Sequence, residues 1–193
     1  IIKLIEDKMN VENDVRTVGV QTIMLVEDSV RFYSSALSLL YKYVLNESKE
    51  FSKEALNDHL RMMRMRGRPK ILLARNYEEA VSLYKKYGDN MLGVLSDMSF
   101  NQNGQKDKTA GKKLGEWIRS KDKYIPIIYA SSESENRKYA AEVDARFIDK
   151  NSKTFPLDLH RAVKENLGFG DFIIVAPKSQ EEIFRIKNLK ELQ

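Results

Sequence analysis

The chain has 193 residues, 42% of them apolar and 32% charged, with a formal net charge of +5 and no cysteine. That length suffices for one domain with a full core plus some extra segments, and the composition excludes wholesale disorder. Disulfides and thiolate metal sites are excluded, no apolar stretch approaches the ~18 residues of a membrane span, and the dispersed charge does not point to nucleic acid.

Residues 1 to 17 predict the end of an amphipathic helix and a polar linker, with Ile1, Leu4, Ile5 and Met9 on one face. Because the chain starts with Ile1 and its first residues lack the order of a signal peptide, it reads as a fragment of a longer polypeptide. Residues 1–19 then belong to a preceding domain or pack on this one. Thr22 to Val26 is a continuous apolar run of the kind buried on both faces of a parallel sheet. A helix follows from Val30 to about Asn46, with Tyr33, Ala36, Leu37, Leu40, Tyr43 and Val44 at helical spacing and Asp28 or Ser29 able to cap it. Residues 47–68 predict an additional helix carrying Leu56, Leu60 and Met63, stopped by Pro69. A βαβ crossover needs only one helix, so this one is an insertion. Its Arg61, Arg64 and Arg66, with Arg68 and Lys70, form a basic cluster that reads as a solvated helix end and loop, with a docking surface for an anion or an acidic protein as the alternative.

Lys70 to Ala74 predicts the second strand. Asn76 and Glu79 have helix-start spacing, and Tyr77, Ala80, Val81, Tyr84 and Tyr87 form the buried face of the helix. A Gly-Asp-Asn turn leads to the run Gly93 to Ser96, ended by Asp97. Residues 101–108 read as a polar loop with no apolar anchor, ahead of a helix from Ala110 to about Lys121 carrying Leu114, Trp117 and Ile118. Ile125 to Ala130 is the fourth strand, followed by Ser131 and Ser132. A short helix bears Tyr139, Ala140 and Val143, a fifth strand spans Arg146 to Ile148, and Pro156 to Leu167 is the last helix, with Leu159, Ala162 and Val163 inward. Strands alternating with helices predict a parallel sheet covered on both faces, an α/β fold whose strand ends line the ligand edge.

Four charges gather at that edge: Glu27, Asp28, Asp97 and Lys150. Three neighbouring carboxylates repel by several kcal/mol outside bulk water, so a cation is expected among them. With oxygen donors only, a hard ion such as Mg²⁺ is favoured over zinc. A carboxylate beside a divalent cation, a lysine and a hydroxyl suits accepting a phosphoryl group. Asp97 is then the nucleophile, and Ser131 donates to a phosphate oxygen. His59 and His160 lie in predicted helices without a catalytic partner.

With an acidic pair after strand one, Asp after strand three, Ser after strand four and Lys after strand five, the chain resembles the CheY-like receiver domain of bacterial response regulators. The resemblance covers roughly Thr22 to Phe169. It implies a flavodoxin-like five-stranded sheet in order 2-1-3-4-5. Asp97 matches the phosphoacceptor, Asp28 the direct Mg²⁺ ligand and Glu27 its partner. Ser99 matches the residue whose backbone carbonyl completes the metal site, Ser131 the switch hydroxyl, Lys150 the phosphate-contacting lysine and Phe147 the switch aromatic. The stretches Leu25 to Ser35 and Asn166 to Phe172 resemble receivers upstream of phosphoenolpyruvate synthase-like or pyruvate phosphate dikinase-like regions. The implied organisation is a receiver over 20–170, with 171–193 leading to a following domain.

The resemblance implies a cytoplasmic two-component or phosphorelay protein rather than an enzyme. Its partners would be a histidine kinase or phosphotransfer protein and a linked output domain, with no nucleic acid or membrane, and with homodimerisation as an option. Three departures accompany it: Asn151 stands where receivers usually have proline, the loop from Ser99 to Thr109 is several residues longer than usual, and the insertion at 47–68 is atypical. A pseudo-receiver scaffold that is never phosphorylated is the alternative. An aspartate-nucleophile phosphatase usually needs a second Asp at the place of Ser99, and a flavin phosphate would meet the acidic Glu27-Asp28-Ser29 loop.

Overall fold

The computed structural model describes residues 2–53, 67–167, 172–175 and 182–186. A five-stranded parallel sheet is built from β1 (Thr22–Val26), β2 (Lys70–Ala74), β3 (Met91–Ser96), β6 (Ile127–Ser131) and β7 (Arg146–Asp149), in the order β2-β1-β3-β6-β7. Counting only these strands, the order is the expected 2-1-3-4-5. Helices α2 (Val30–Lys53), α3 (Tyr77–Tyr87), α4 (Ala110–Arg119), α5 (Arg137–Glu142) and α6 (Phe155–Asn166) alternate with them.

All five residues of β1 are buried, and the twofold period of a strand sends alternate side chains to opposite faces. Ile23 and Leu25 join Leu37, Leu40, Val44, Leu159 and Val163 under α2 and α6. Met24 and Val26 join Ala80, Tyr84, Leu114, Ile118 and Val143 under α3, α4 and α5. Each fully buried side chain of this size contributes about 1.5–3 kcal/mol, and the two half-cores lock β1 in the middle of the sheet. Helix α3 starts where its capping spacing predicts: Asn76 accepts from the Glu79 amide at 2.8 Å, and Glu79 in turn accepts from the Arg75 amide at 2.8 Å.

The N-terminal segment departs from its expected pattern. Residues Ile2–Val18 form one helix, α1, with no polar linker within them. Of the expected apolar face, Ile5 and Met9 are exposed and only Leu4 packs on the core; Ile1 lies outside the described residues. The packing face instead carries Asp7 and Val11, with Val11 seated against Leu72 and Tyr87. Asp7 is fully buried. It accepts from both terminal nitrogens of Arg68 (2.6 and 3.2 Å), from Tyr41 (2.9 Å) and from the Ile71 amide (3.0 Å). A search for apolar periodicity skips a face whose central residue is a charge. Arg68 and Lys70 are buried as well, and Lys70 pairs with Asp14 at 2.8 Å. Those two therefore leave the expected solvated basic cluster, while Arg61, Arg64, Arg66 and His59 lie outside the described residues.

Helix α2 runs on to Lys53 rather than ending near Asn46. The rest of the predicted insertion, 54–66, lies outside the described residues. On α2, Tyr43 stacks on His160 of α6 with ring centroids 4.4 Å apart, and His160 Nε2 lies 3.2 Å from Glu47. The region read as an unanchored polar loop is instead an antiparallel hairpin of β4 (Phe100–Gln102) and β5 (Gln105–Asp107). Its two-residue turn places Asn103 at φ 51° and Gly104 at φ 76°, the doubly left-handed backbone of a tight hairpin that Asn-Gly favours. Phe100, fully buried, anchors its first strand. Beyond α6, β8 (Phe172–Val175) and β9 (Glu182–Ile186) form a second antiparallel pair. Among the described residues no helix is long and apolar enough to cross a membrane.

Candidate functional site

The sheet register explains how residues far apart in sequence meet. Val26 lies beside Ala74 on one side and Ser96 on the other, so the next residues of β1 and β3, Glu27 and Asp97, leave the sheet together. The ladder extends past the strands through Glu27 N to Ala74 O (3.0 Å) and Asp97 N to Val26 O (2.9 Å). Farther along the edge, Ser131 lies beside Asp149, and Lys150 N donates to Ser131 O at 2.9 Å.

Glu27, Asp28 and Asp97 each offer a carboxylate oxygen, and these oxygens lie within 4.8 Å of one another. Lys150 stands against two of the three: its Nζ is 2.5 Å from Glu27 Oε2 and 3.0 Å from Asp97 Oδ1. The ammonium also lies 4.5 Å from the centre of the Phe32 ring, a cation–π contact. Glu27 is buried, and desolvation, followed by the nearby Asp97 charge, holds its carboxyl above the ordinary range against the opposing pull of Lys150. The donor set is all oxygen, arranged so that carboxylates face one another. Such a set fits a hard divalent cation.

Asp97 is fixed by local bonds. Its Oδ1 accepts from the Met98 amide at 2.8 Å, and its carbonyl accepts from Ser96 Oγ at 2.7 Å. Ser131 is buried. Its Oγ accepts from Asn136 Nδ2 (2.9 Å) and from the Glu133 amide (3.2 Å), which uses its lone pairs and leaves the O–H as a donor. Phe147 is half-buried on the α4–α5 side of the sheet, with the Arg137 guanidinium 4.8 Å over its ring. Ser99 lies in the short link between β3 and β4.

Asn136 and Lys106 join the edge without having been singled out from the sequence. Lys106, on β5, contacts both oxygens of Asp28, at 2.8 and 2.7 Å. The Asn103-Gly104 turn was the available signal for the hairpin that brings it there; nothing in the sequence marked Asn136. A cleft of about 200 Å³ opens beside the carboxylates, lined in part by Phe32, Ala36, Leu95 and Phe155.

No protein-family model and no curated protein sequence matches the chain. Among solved structures, it is similar to a phosphorylated cyanobacterial phytochrome response regulator, RcpA, at 15% identity and a TM-score of 0.52, covering 77% of this chain and 94% of that one. A response regulator receiver domain protein from Clostridium thermocellum gives 14% identity and 0.53, covering 77% and 95%. The signal receiver domain of an HD domain-containing protein from Pseudomonas fluorescens Pf-5 gives 15% and 0.53, with the same coverage.

The fold is that of the response-regulator receiver.

Against that fold, the turn after Lys150 is tied down by Asn151, whose Nδ2 donates to Ser132 O at 3.0 Å and whose amide donates to Asp149 Oδ1 at 2.8 Å. The long segment after Asp97 is occupied by the β4–β5 hairpin.

Proposed function

We infer that this chain is a phosphoacceptor receiver domain, phosphorylated on Asp97 by a histidine kinase or phosphotransfer protein in a two-component or phosphorelay system. The observation that carries this reading is the placement of Lys150 between Glu27 and Asp97 at the carboxyl edge of the receiver sheet. Glu27, Asp28 and Asp97, with the Ser99 carbonyl, would hold Mg²⁺, which when bound neutralises charge on the phosphoryl oxygens.

The chain's own residues account for the rest of the chemistry. Asp97 Oδ1 already accepts from Met98 and faces Lys150, so Oδ2 is the oxygen that attacks phosphorus. A new P–O bond forms, the P–N bond of a phosphohistidine breaks, and the imidazole nitrogen leaves with the bonding pair. Lys150 contacts the charge that develops on the phosphoryl oxygens. Ser131 turns its O–H to one of them, and Phe147 follows into the space that this vacates, biasing a two-state surface on the α5–β7 side. We assign 20–170 to the receiver, 1–19 to an N-terminal segment docked on it, and 171–193 to a connection towards a linked output domain.

Beryllofluoride, a phosphoryl mimic, tests the site. With Mg²⁺ it is expected to shift the amide resonances of Asp97, Ser131 and Phe147 in the native chain and not in Asp97→Asn; no shift at these positions contradicts the reading. A scaffold that keeps the fold without being phosphorylated is the second reading. It draws on one observation, that Lys106 already neutralises Asp28.

A further inference from the structure

Among the described residues, two ammonium groups contact the acidic edge, and they divide its carboxylates between them. Lys150 serves Glu27 and Asp97, while Lys106 serves Asp28 through both carboxylate oxygens. Lys150 directly follows β7 of the sheet, but Lys106 comes from the hairpin and reaches Asp28 across 78 positions of sequence.

That reach is built into the hairpin. Phe100 is fully buried and pairs with Asp107 across the two strands, while Asn101 pairs with Lys106. Asp107 accepts from Thr109 N (2.7 Å), Thr109 Oγ1 (2.9 Å) and Lys113 Nζ (2.6 Å), which ties the base of the hairpin to the start of α4. At the tip, the Asn103 amide donates to Glu78 Oε1 of α3 at 2.9 Å. Both ends are held, so Lys106 between them is presented to the sheet edge. Asp28 is largely shielded, at 16% side-chain exposure, whereas Lys106 keeps 52%. The shielded partner thus meets a cation that can swing out to water.

We propose that Lys106 is a tethered counter-ion that competes with a divalent cation for the Asp28 carboxylate, so that the β4–β5 hairpin sets the cation affinity of the edge. This rests on the reading of Glu27, Asp28 and Asp97 as the cation-binding set. Lys106 already contacts both Asp28 oxygens, so a divalent ion that takes either one meets the ammonium's charge and competes with it. The displaced Lys106 returns to solvent at little cost, its side chain being half-exposed already.

The test is Mn²⁺ binding to the full chain, read from the electron paramagnetic resonance of the free ion, for the native protein and for Lys106→Gln, Lys106→Arg and Asp28→Asn. Circular dichroism checks that each variant is folded. Lys106→Gln removes the charge and is expected to bind Mn²⁺ about fivefold more tightly, the scale of one partly exposed ion pair. Lys106→Arg keeps the charge and should stay near the native affinity. Binding that appears only in Lys106→Gln also supports the proposal. Native binding that Asp28→Asn abolishes but Lys106→Gln leaves unchanged or weakens overturns the role of Lys106 alone. No Mn²⁺ binding by any of the proteins overturns the cation-binding reading, and the proposal with it.

Discussion

Gly111 touches Asp97 backbone to backbone: a Cβ on Gly111 would stand 2.3 Å from the Asp97 carbonyl oxygen and 2.8 Å from Met98 Cα. The first turn of α4 therefore rests directly on the segment that carries the candidate phosphoacceptor, with Gly111 N donating to Met98 O at 3.0 Å. Backbone atoms cannot swing aside as a flexible side chain does. Gly111→Ala is expected to cost about 1–3 kcal/mol by overpacking and to shift the Asp97 and Met98 amide resonances. Urea denaturation with NMR checks both, and a neutral, unshifted variant contradicts the contact.

The pair of Asp7 and Arg68 fastens α1 to the entry of β2. Asp7 is fully buried and makes its bonds within the protein, so removing Arg68 leaves a buried carboxylate without its countercharge. Arg68→Ala should destabilise the chain by about 3–5 kcal/mol. Asp7→Leu with Arg68→Met, which removes both charges, should cost less than Arg68→Ala alone. Equilibrium unfolding of the native chain and the two variants decides this, and a double variant that loses as much stability as Arg68→Ala contradicts it.

Much of the sheet was legible because its strands are buried on both faces and so read as unbroken apolar runs. Thr22 to Val26 and the run ending at Ser96 each have one boundary that matters, the polar residue that follows. That is why the sequence alone points to Glu27, Asp28, Asp97 and Lys150 at the edge. What escaped notice depends on pairing across long separations. The packing face of α1 was obscured because Asp7 is polar, and its partner Arg68 lies 61 positions away. The hairpin was obscured because Asn101, Gln102, Gln105 and Lys106 show no apolar alternation. Its strand pairing comes from the Asn-Gly turn and from one buried phenylalanine. Helix α2 outran its expected end because the turn past Asn46 has partners of its own: Glu47 meets His160 of α6 at 3.2 Å, and Ser48 is buried.

Asp107 makes the hairpin base sensitive to acid. The hydrogen bond from Lys113, reinforced by the Thr109 amide, holds its carboxyl below the ordinary range. A carboxyl with a depressed folded-state pKa contributes stability above its unfolded value of about 3.9 and loses that contribution as pH falls through the folded value. The native chain should therefore be more stable than Asp107→Asn by a constant margin from pH 7 to about pH 5, and the margin should shrink below about pH 4. Thermal melts across this range check it; a margin that grows in acid has the wrong sign.

Phosphoryl transfer to Asp97 is the central claim, and intact-mass spectrometry after incubation with acetyl phosphate and Mg²⁺ tests it most directly. The P–O bond of the donor breaks, acetate leaves, and one phosphoryl group is expected on the native chain, absent from Asp97→Asn and abolished by chelating the metal. No gain in mass, or an equal gain in Asp97→Asn, contradicts the account.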